Sequence, residues 1–174
     1  MQAFPTLFNK TSNDLPESLD EKSMIDICLK RTKDLGIYSR CTFHEGYLDT
    51  LTKTDLFDLA TSILVSHFIM DKIERTVFFS GIYSKLKNGA YMINADLAGD
   101  MSSLEYEKLL KVWINLHEYA SMPVRVESFG TKVAMLDTKE LASLIKTSGF
   151  DEPVLFFQTL FIHAWFSKVN NNNK

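Results

Sequence analysis

Two apolar segments that end in polar residues dominate the pattern along the chain: Phe57–Phe68 (FDLATSILVSHF) and Leu86–Leu97 (LKNGAYMINADL). Each is typical of a buried strand, and Asp71–Leu86 between them alternates charged and apolar residues at helical spacing. A strand, a helix and a second strand in this order predict a parallel pair in an α/β sheet. Ligands bind such sheets at the carboxyl ends of the strands. The polar residues at these ends are Ser66, His67, Asn94 and Asp96.

The same spacing argument predicts three further helices. The first lies between Asp20 and Gly36, and the last is Thr138–Thr147. Between them, a helix capped by Ser102 and Ser103 continues past Leu116. All three are amphipathic, so each is expected to pack one apolar stripe against the sheet.

Short apolar runs bounded by turn residues predict the strands. The predicted strands are Cys41–Leu48, Leu59–Val65, Ala90–Ala95, Val154–Leu160 and Phe161–Val169. The last two follow each other closely enough to form an antiparallel hairpin. Asn88-Gly89 is expected to be a turn before the third strand, and the asparagine-rich residues 170–174 are expected to be a disordered tail.

Composition narrows the class of protein. The chain has 174 residues, of which 45% are apolar and 24% charged, as in a globular domain. A net charge of −3 favours no nucleic-acid surface, and no apolar run reaches the roughly 18 residues of a membrane span. Cys28 and Cys41 have no metal-site spacing and are interpreted as free thiols, which predicts a cytoplasmic protein. The four histidines are scattered, so no metal site is expected.

Five segments, taken in their order and spacing, resemble class I S-adenosylmethionine-dependent methyltransferases over residues 14–169. These segments are DEKSMIDICLKRTKDLGI, CTFHEGYLDTL, FDLATSILVSHF, FFSGIYSKLKNGAYMINADL and SGFDEPVLFFQTLFIHAWFSKV. The resemblance implies an α/β domain over residues 1–174, with a Rossmann-like, mostly parallel sheet flanked by helices and ended by the hairpin. It also implies S-adenosylmethionine as cofactor and a small-molecule or nucleobase acceptor.

The resemblance implies positions for the cofactor. The residues that it assigns to cofactor binding are Asp20, Gly46, Tyr47, Leu48, Ser62, Ile63, Leu64 and Ser66. An acid at Asp14 or Asp20 would bind the ribose hydroxyls, although Asp20 is also a plain helix-start residue. The turn 46–48 would flank the adenine, with Tyr47 where the family often has an acid. Residues 62–66 would lie beneath the methionine part, and each is also a credible core or turn residue.

On the acceptor side, the resemblance suggests roles for three residues. His67 follows a strand at the ligand edge, so it is a candidate pocket residue and a weaker candidate for a general base. Tyr106 and Trp113 fall in the interval where the family often carries a lid over the acceptor, although their helical spacing also fits a core role. Asp96 and Asp100 flank Gly99 and are interpreted as a loop-forming pair.

The chain departs from the family at the first strand and its GxGxG-type loop. Residues 1–13, which match the family poorly, contain no glycine, and Pro5 argues against a central strand at Ala3–Phe8. The sheet is therefore expected to be incomplete. Two hypotheses follow: a methyltransferase truncated at its N-terminus, or a catalytically inactive remnant that acts as a dimerising or regulatory partner. The terminal aromatic residues would then supply core beneath the hairpin or a homodimer face: Phe156, Phe157, Phe161, Trp165 and Phe166.

Overall fold

Helices and strands alternate along the chain in the computed structural model, which describes residues 21–44, 46–51, 55–123 and 125–170. The elements of the described residues are α1 (Glu21–Asp34), β1 (Phe57–Ile63), α2 (Lys72–Ser84), β2 (Leu86–Leu97), α3 (Tyr106–Tyr119), α4 (Thr138–Thr147), β3 (Val154–Thr159) and β4 (Ile162–Lys168). Short 3-10 helices lie at Tyr38–Arg40, Leu48–Thr50, Ser66–Phe68 and Val126–Ser128. None of these helices is long and apolar enough to cross a membrane.

The four strands form one sheet in the order β1-β2-β4-β3. β1 and β2 are parallel and are joined through α2, while β4 is antiparallel to both β2 and β3. The predicted α/β class is confirmed, including the helices that flank the sheet, the parallel unit around α2 and the closing hairpin. The sheet formed by the described residues is not mostly parallel as expected, because one pair of neighbouring strands is parallel and two pairs are antiparallel.

β1 ends two residues earlier than predicted, because its backbone turns sharply at Leu64. Leu64 has φ of 55°, in the left-handed region, and its N–H donates to the Ala95 carbonyl at 2.7 Å. The chain then enters the 3-10 helix Ser66–Phe68 instead of continuing the strand. This turn brings His67 back toward the end of β2.

The predicted turn at Asn88-Gly89 is wrong, because both residues lie inside β2. Gly89 has φ of 74°, and the register is irregular there: Phe57 pairs with Leu86, whereas Leu59 pairs with Tyr91. A separation of two residues along β1 therefore corresponds to a separation of five residues along β2. The left-handed glycine is accommodated as an irregularity in the strand rather than as a separate turn.

The predicted strand Cys41–Leu48 is wrong: none of its described residues belongs to a strand, and Leu48 begins a 3-10 helix. A local polar network closes this turn. The ring Nε2 of His44 lies 3.0 Å from Thr50 Oγ1, which donates to the Tyr47 carbonyl at 2.8 Å. Side-chain bonds of this kind offer the backbone an alternative to a strand ladder. Leu48 is then free to pack into the core against α2.

The serine caps predicted for the helix after residue 102 are also wrong. α3 begins only at Tyr106, and its N-cap residue Glu105 makes no side-chain capping bond. The Ser102 hydroxyl instead donates to the Asp100 carboxylate at 2.6 Å. That bond stabilises the turn before the helix and leaves the first backbone N–H groups of α3 without a serine cap.

The two faces of the sheet differ in what lies over them. The first, here called the covered face, includes Ala60, Met92, Asn94, Asp96 and Trp165, and α2 and α4 pack on it. Its core contains Phe79 of α2 and Leu141 and Ile145 of α4, all fully buried. The second, here called the open face, carries Leu59, Tyr91, Ile93, Phe156 and Phe166. Among the described residues, strand side chains alone line the groove over the open face.

Candidate functional site

A buried polar cluster forms where β1 and β2 end. Parallel pairing of Ile63 with Ala95 places the two carboxyl ends side by side, as the alternation of strand and helix predicts. Asp96 is fully buried there, and Ser66 and His67 of the following 3-10 helix turn back toward it. The interpretation of Asp96 as part of a loop-forming pair is therefore wrong, since it lies within β2 and only Asp100 belongs to a turn.

The Asp96 carboxylate accepts four hydrogen bonds. The Ser66 hydroxyl donates to Oδ2, and Nδ1 of the His67 ring contacts Oδ1. Two backbone N–H groups also donate to Oδ1, that of His67 at 3.0 Å and that of Leu97 at 3.2 Å. A carboxylate that accepts this many hydrogen bonds is fixed in orientation.

This contact defines the chemistry available to His67. Because Nδ1 faces a carboxylate acceptor, the neutral ring carries its proton on Nδ1 and a lone pair on Nε2. No described residue makes a hydrogen bond to Nε2. An imidazole oriented in this way by a buried carboxylate can take a proton from a bound hydroxyl. The Asp96–His67 pair is therefore a candidate general base.

His67 opens onto a cleft between the end of β1, α3 and the β3–β4 turn, here called the α3 cleft. Its volume is about 540 Å³, within the range of about 300–1,000 Å³ typical of small-molecule sites. The other lining residues are Leu64, Phe68, Leu97, Trp113, Leu116, His117, Met122, Thr159, Leu160 and Ile162. An apolar wall with two imidazoles suits a flat or aliphatic molecule that carries a polar group.

The structure separates the two residues predicted to contact the acceptor. Trp113 lines the α3 cleft together with His67, and its ring lies 5.7 Å from that of Phe161 between centroids. Tyr106 packs against Phe161 at 5.5 Å but does not line the cleft. Burial raises the pKa of the Tyr106 hydroxyl. Trp113 is thus the better placed of the two for contact with a ligand.

The predicted cofactor residues fall into two groups. Gly46, Tyr47 and Leu48 lie in the turn next to α2, where Leu48 is buried and Tyr47 is exposed. Leu48 and Ser62 both line a narrow apolar groove beside β1. Asp20 lies outside the described residues, as do Asp14 and the segment Ala3–Phe8.

The second group follows the end of β1 and diverges there. Ile63 is exposed, Leu64 lines the α3 cleft, and the Ser66 hydroxyl is committed to Asp96. Ser62 is buried, and its hydroxyl has no hydrogen-bond partner among the described residues. Ser62 and Ile63 are consecutive residues of β1 and face opposite sides of the sheet, so the four residues do not lie together on one wall.

Arg75 is a residue that the helical pattern did not single out. It occupies the buried stripe of α2 with Phe79 and Ile82, and it is fully buried. Its Nε donates to the Ile69 carbonyl at 3.2 Å, while its two terminal nitrogens have no partner among the described residues. Burial lowers the pKa of Arg75, and attraction to Asp96 and Glu140 opposes that shift. The sequence feature that could have indicated a buried arginine is its place in line with the apolar residues of the predicted helix.

The described residues contain no group of three or more histidine, cysteine, aspartate or glutamate side chains arranged to hold a metal ion. His163 of β4 pairs with Asp96 in register, and its Nδ1 lies 3.2 Å from the Phe161 carbonyl. Burial lowers the pKa of His163. It is a core histidine with a hydrogen-bond partner.

The chain matches no protein-family model and no curated protein sequence. Solved structures do resemble it in three dimensions. One is the S-adenosylmethionine-dependent methyltransferase SibL in its apo form, with a TM-score of 0.61 and 11% identity over 84% of this chain and 41% of that one. The O-methyltransferase family 2 protein from Planctomyces limnophilus, in complex with apigenin, has a TM-score of 0.61 and 14% identity over 84% of this chain and 40% of that one.

An O-methyltransferase family protein from Burkholderia thailandensis is similar in the same way. It has a TM-score of 0.63 and 12% identity, over 87% of this chain and 42% of that one. This chain therefore spans less than half the length of each of the three proteins. At these identities the likeness concerns the fold, which is that of the class I S-adenosylmethionine-dependent methyltransferases, as the sequence segments predicted.

Proposed function

We propose that this chain takes part in methyl transfer from S-adenosylmethionine to a hydroxyl group of a small molecule, with His67 as the general base. One observation carries the proposal: the buried Asp96–His67 pair opens onto the apolar α3 cleft. The methyltransferase fold supports the reaction class, and the apigenin complex of one neighbour supports a flat phenolic acceptor. The acceptor itself is unidentified.

The α3 cleft would hold the acceptor through apolar contacts. Trp113 would lie against a flat ring, and the acceptor hydroxyl would face Nε2 of His67. His67 then accepts the hydroxyl proton on Nε2, while Asp96 stabilises the resulting imidazolium through Nδ1. The oxygen lone pair thus freed is the nucleophile. Holding it in line with the methyl donor is the main requirement of such a displacement.

The cofactor supplies an electrophilic methyl group when it is bound. Ile63 and Leu64 are exposed at the end of β1 and would contact its methionine part, whereas Ser62 is buried on the opposite face of the strand. Since these two side chains offer little contact area, we expect this chain to bind the cofactor weakly. Titration calorimetry with S-adenosylhomocysteine measures that affinity, and no heat at high micromolar ligand would refute cofactor binding by this chain.

The decisive variant is His67→Gln, assayed by transfer of a radiolabelled methyl group to a panel of simple phenols. We expect a loss of about 100-fold or more in rate, with unchanged affinity for S-adenosylhomocysteine, because glutamine cannot accept the proton. His117→Gln is the matched control, since His117 lines the same cleft but its Nδ1 bonds the Trp113 carbonyl at 2.8 Å. A His67→Gln variant as active as the His117→Gln control would contradict the proposal.

A second candidate is a non-catalytic partner that associates with another copy of itself. The exposed aromatic residues of β3 favour it: Phe156 and Phe157 are 54% and 49% exposed at the edge of the sheet. Of the predicted aromatic cluster, Phe161 and Trp165 are core, and Phe166 is exposed beside Phe156. This candidate predicts a stable dimer in sedimentation velocity that lacks affinity for S-adenosylhomocysteine. A monomer that binds this ligand would exclude it.

A further inference from the structure

We infer that Leu64 and Leu160 determine which ligand the α3 cleft accepts. Each occupies a backbone position that favours glycine, and its side chain contacts a flat aromatic alcohol bound beside His67. That this alcohol is a methyl acceptor rests on the proposed function. Its binding does not, because binding can be measured without any turnover.

Strained backbone is concentrated around the α3 cleft. Within the described residues, three amino acids other than glycine have a positive φ: Leu64 at 55°, Ser121 at 53° and Leu160 at 49°. Leu64 and Leu160 line the cleft, and Ser121 directly precedes Met122, which also lines it. Left-handed backbone is unfavourable for a residue that carries a Cβ atom, and such residues cluster at ligand sites. The strain therefore marks this cleft as a site of function.

Each leucine occupies a tight turn that fixes its backbone. The Leu64 N–H donates to the Ala95 carbonyl at 2.7 Å, just after the end of β1. Leu160 is the first of the two residues between β3 and β4, and glycine is common in such loops. Glycine would adopt either conformation without strain. The presence of leucine therefore needs a reason outside the turn itself.

Core packing does not supply that reason. Neither leucine belongs to the two clusters of buried apolar residues in the described part of the chain, and Leu64 is 39% exposed. What the two side chains share is the α3 cleft, which they line together with His67 and Trp113. An aromatic ring whose hydroxyl faces His67 would bury apolar surface against them. The unfavourable backbone is thus offset by contacts that form only when the ligand is bound.

Two other positions at the cleft provide matched controls. The Ser121 N–H donates to the Glu118 carbonyl at 3.0 Å, and the next N–H, that of Met122, donates to the His117 carbonyl at 2.8 Å. This pattern is a Schellman cap, which usually has glycine where Ser121 stands, and Ser121 does not line the cleft. Leu116 does line the cleft but lies within α3, where glycine is less stable than alanine.

The experiment compares glycine with alanine at each leucine, because both remove the side chain and only alanine retains the strain. The midpoint of urea unfolding measures the strain. Equilibrium dialysis with 2-naphthol, carried out without cofactor, measures the affinity of the cleft. At positions 64 and 160 we expect the glycine variant to unfold at about 0.3 M more urea than the alanine variant. All four variants should bind 2-naphthol about five- to tenfold more weakly than wild type.

The controls separate strain from contact with the ligand. Ser121→Gly should raise the midpoint and leave the affinity for 2-naphthol unchanged. At Leu116 the order should reverse, so that the glycine variant unfolds at less urea than the alanine variant. If Leu64→Gly or Leu160→Gly does not fold, an asparagine variant, which also tolerates left-handed backbone, replaces it.

Several outcomes decide the inference. Glycine variants at positions 64 and 160 that bind 2-naphthol as tightly as wild type would overturn it, and so would a wild-type protein that does not bind this probe. Glycine variants no more stable than the alanine variants would overturn it too. Weaker binding by the variants, with no methyl transfer by wild type, would refute the proposed function and leave the inference standing. Methyl transfer that depends on His67, together with unchanged affinity in the glycine variants, would refute the inference alone.

Discussion

The covered face and the open face of the sheet share the same strands but have opposite surroundings. On the covered face, α2 and α4 bury an apolar layer near the start of β2 and a polar cluster near its end. On the open face, Tyr91 and Phe166 pack edge to face, yet both remain exposed. This difference shows that packing on the covered face stabilises the domain and orients the candidate base. The open face is an exposed apolar surface.

The largest expected effect comes from replacing one phenylalanine on each face with alanine, which tests whether the two faces contribute differently to stability. Phe79→Ala removes a fully buried ring from the covered face, and we expect a loss of about 3–5 kcal/mol in unfolding free energy. Phe166→Ala removes a ring that is 38% exposed, and we expect about 1 kcal/mol. Urea denaturation followed by circular dichroism measures both values. Equal losses would mean that the open face is as well packed as the covered one.

A second test measures how much the N-terminal cap of α2 contributes to the stability of the covered face. The Asp71 side chain caps this helix by accepting from the N–H groups of Ile73 and Glu74 at 2.8 and 2.9 Å. Asp71→Ala should cost about 1 kcal/mol, because two backbone donors lose their partner. Asp71→Asn is the control, since it retains the cap. If the alanine variant is as stable as the asparagine variant in urea, the cap does not hold α2 on the sheet.

The smallest expected effect concerns pH and His163. Burial lowers the pKa of this ring in the folded protein. The contribution of His163 to the free energy of unfolding is therefore complete above the pKa that the ring has in the unfolded chain. It decreases as the pH falls from that pKa toward the lower pKa of the folded protein. We expect wild-type protein to lose stability as the pH falls below about 6.5, the ordinary pKa of histidine. His163→Leu should reduce that loss, while His44→Gln should not. An unchanged pH dependence in His163→Leu would show that burial of His163 does not contribute.

The fold was predictable because its signals are local. The parallel unit around α2 and the closing hairpin each follow from apolar runs and their flanking residues, and Thr138–Thr147 was predicted with its bounds. The errors also have local causes. Leu64 and Gly89 adopt left-handed backbone within or beside strands, and the His44–Thr50 contact lies in a segment where a strand was predicted and none forms among the described residues. The spacing of apolar residues does not predict a left-handed backbone conformation or a local side-chain hydrogen bond.

The candidate site was predictable only in part. The sequence placed His67 and Asp96 at the same edge of the sheet, because parallel strands bring their ends together. It did not reveal that His67 turns inward to Asp96, since that depends on the backbone at Leu64. The burial of Arg75 could not be recognised either, because it depends on how α2 packs on the covered face.

The central place of β2 has a consequence for the order of folding. β2 pairs with β1 within one strand–helix–strand unit. Its pairing with β4 joins residues that are far apart in sequence, such as Tyr91 and Lys168. Contacts of long sequence separation form late, because closing a long loop loses more chain entropy. Ser66, His67, Arg75 and Asp96 all belong to the local unit. We therefore expect the candidate base to be assembled before the hairpin docks and closes the far side of its cleft.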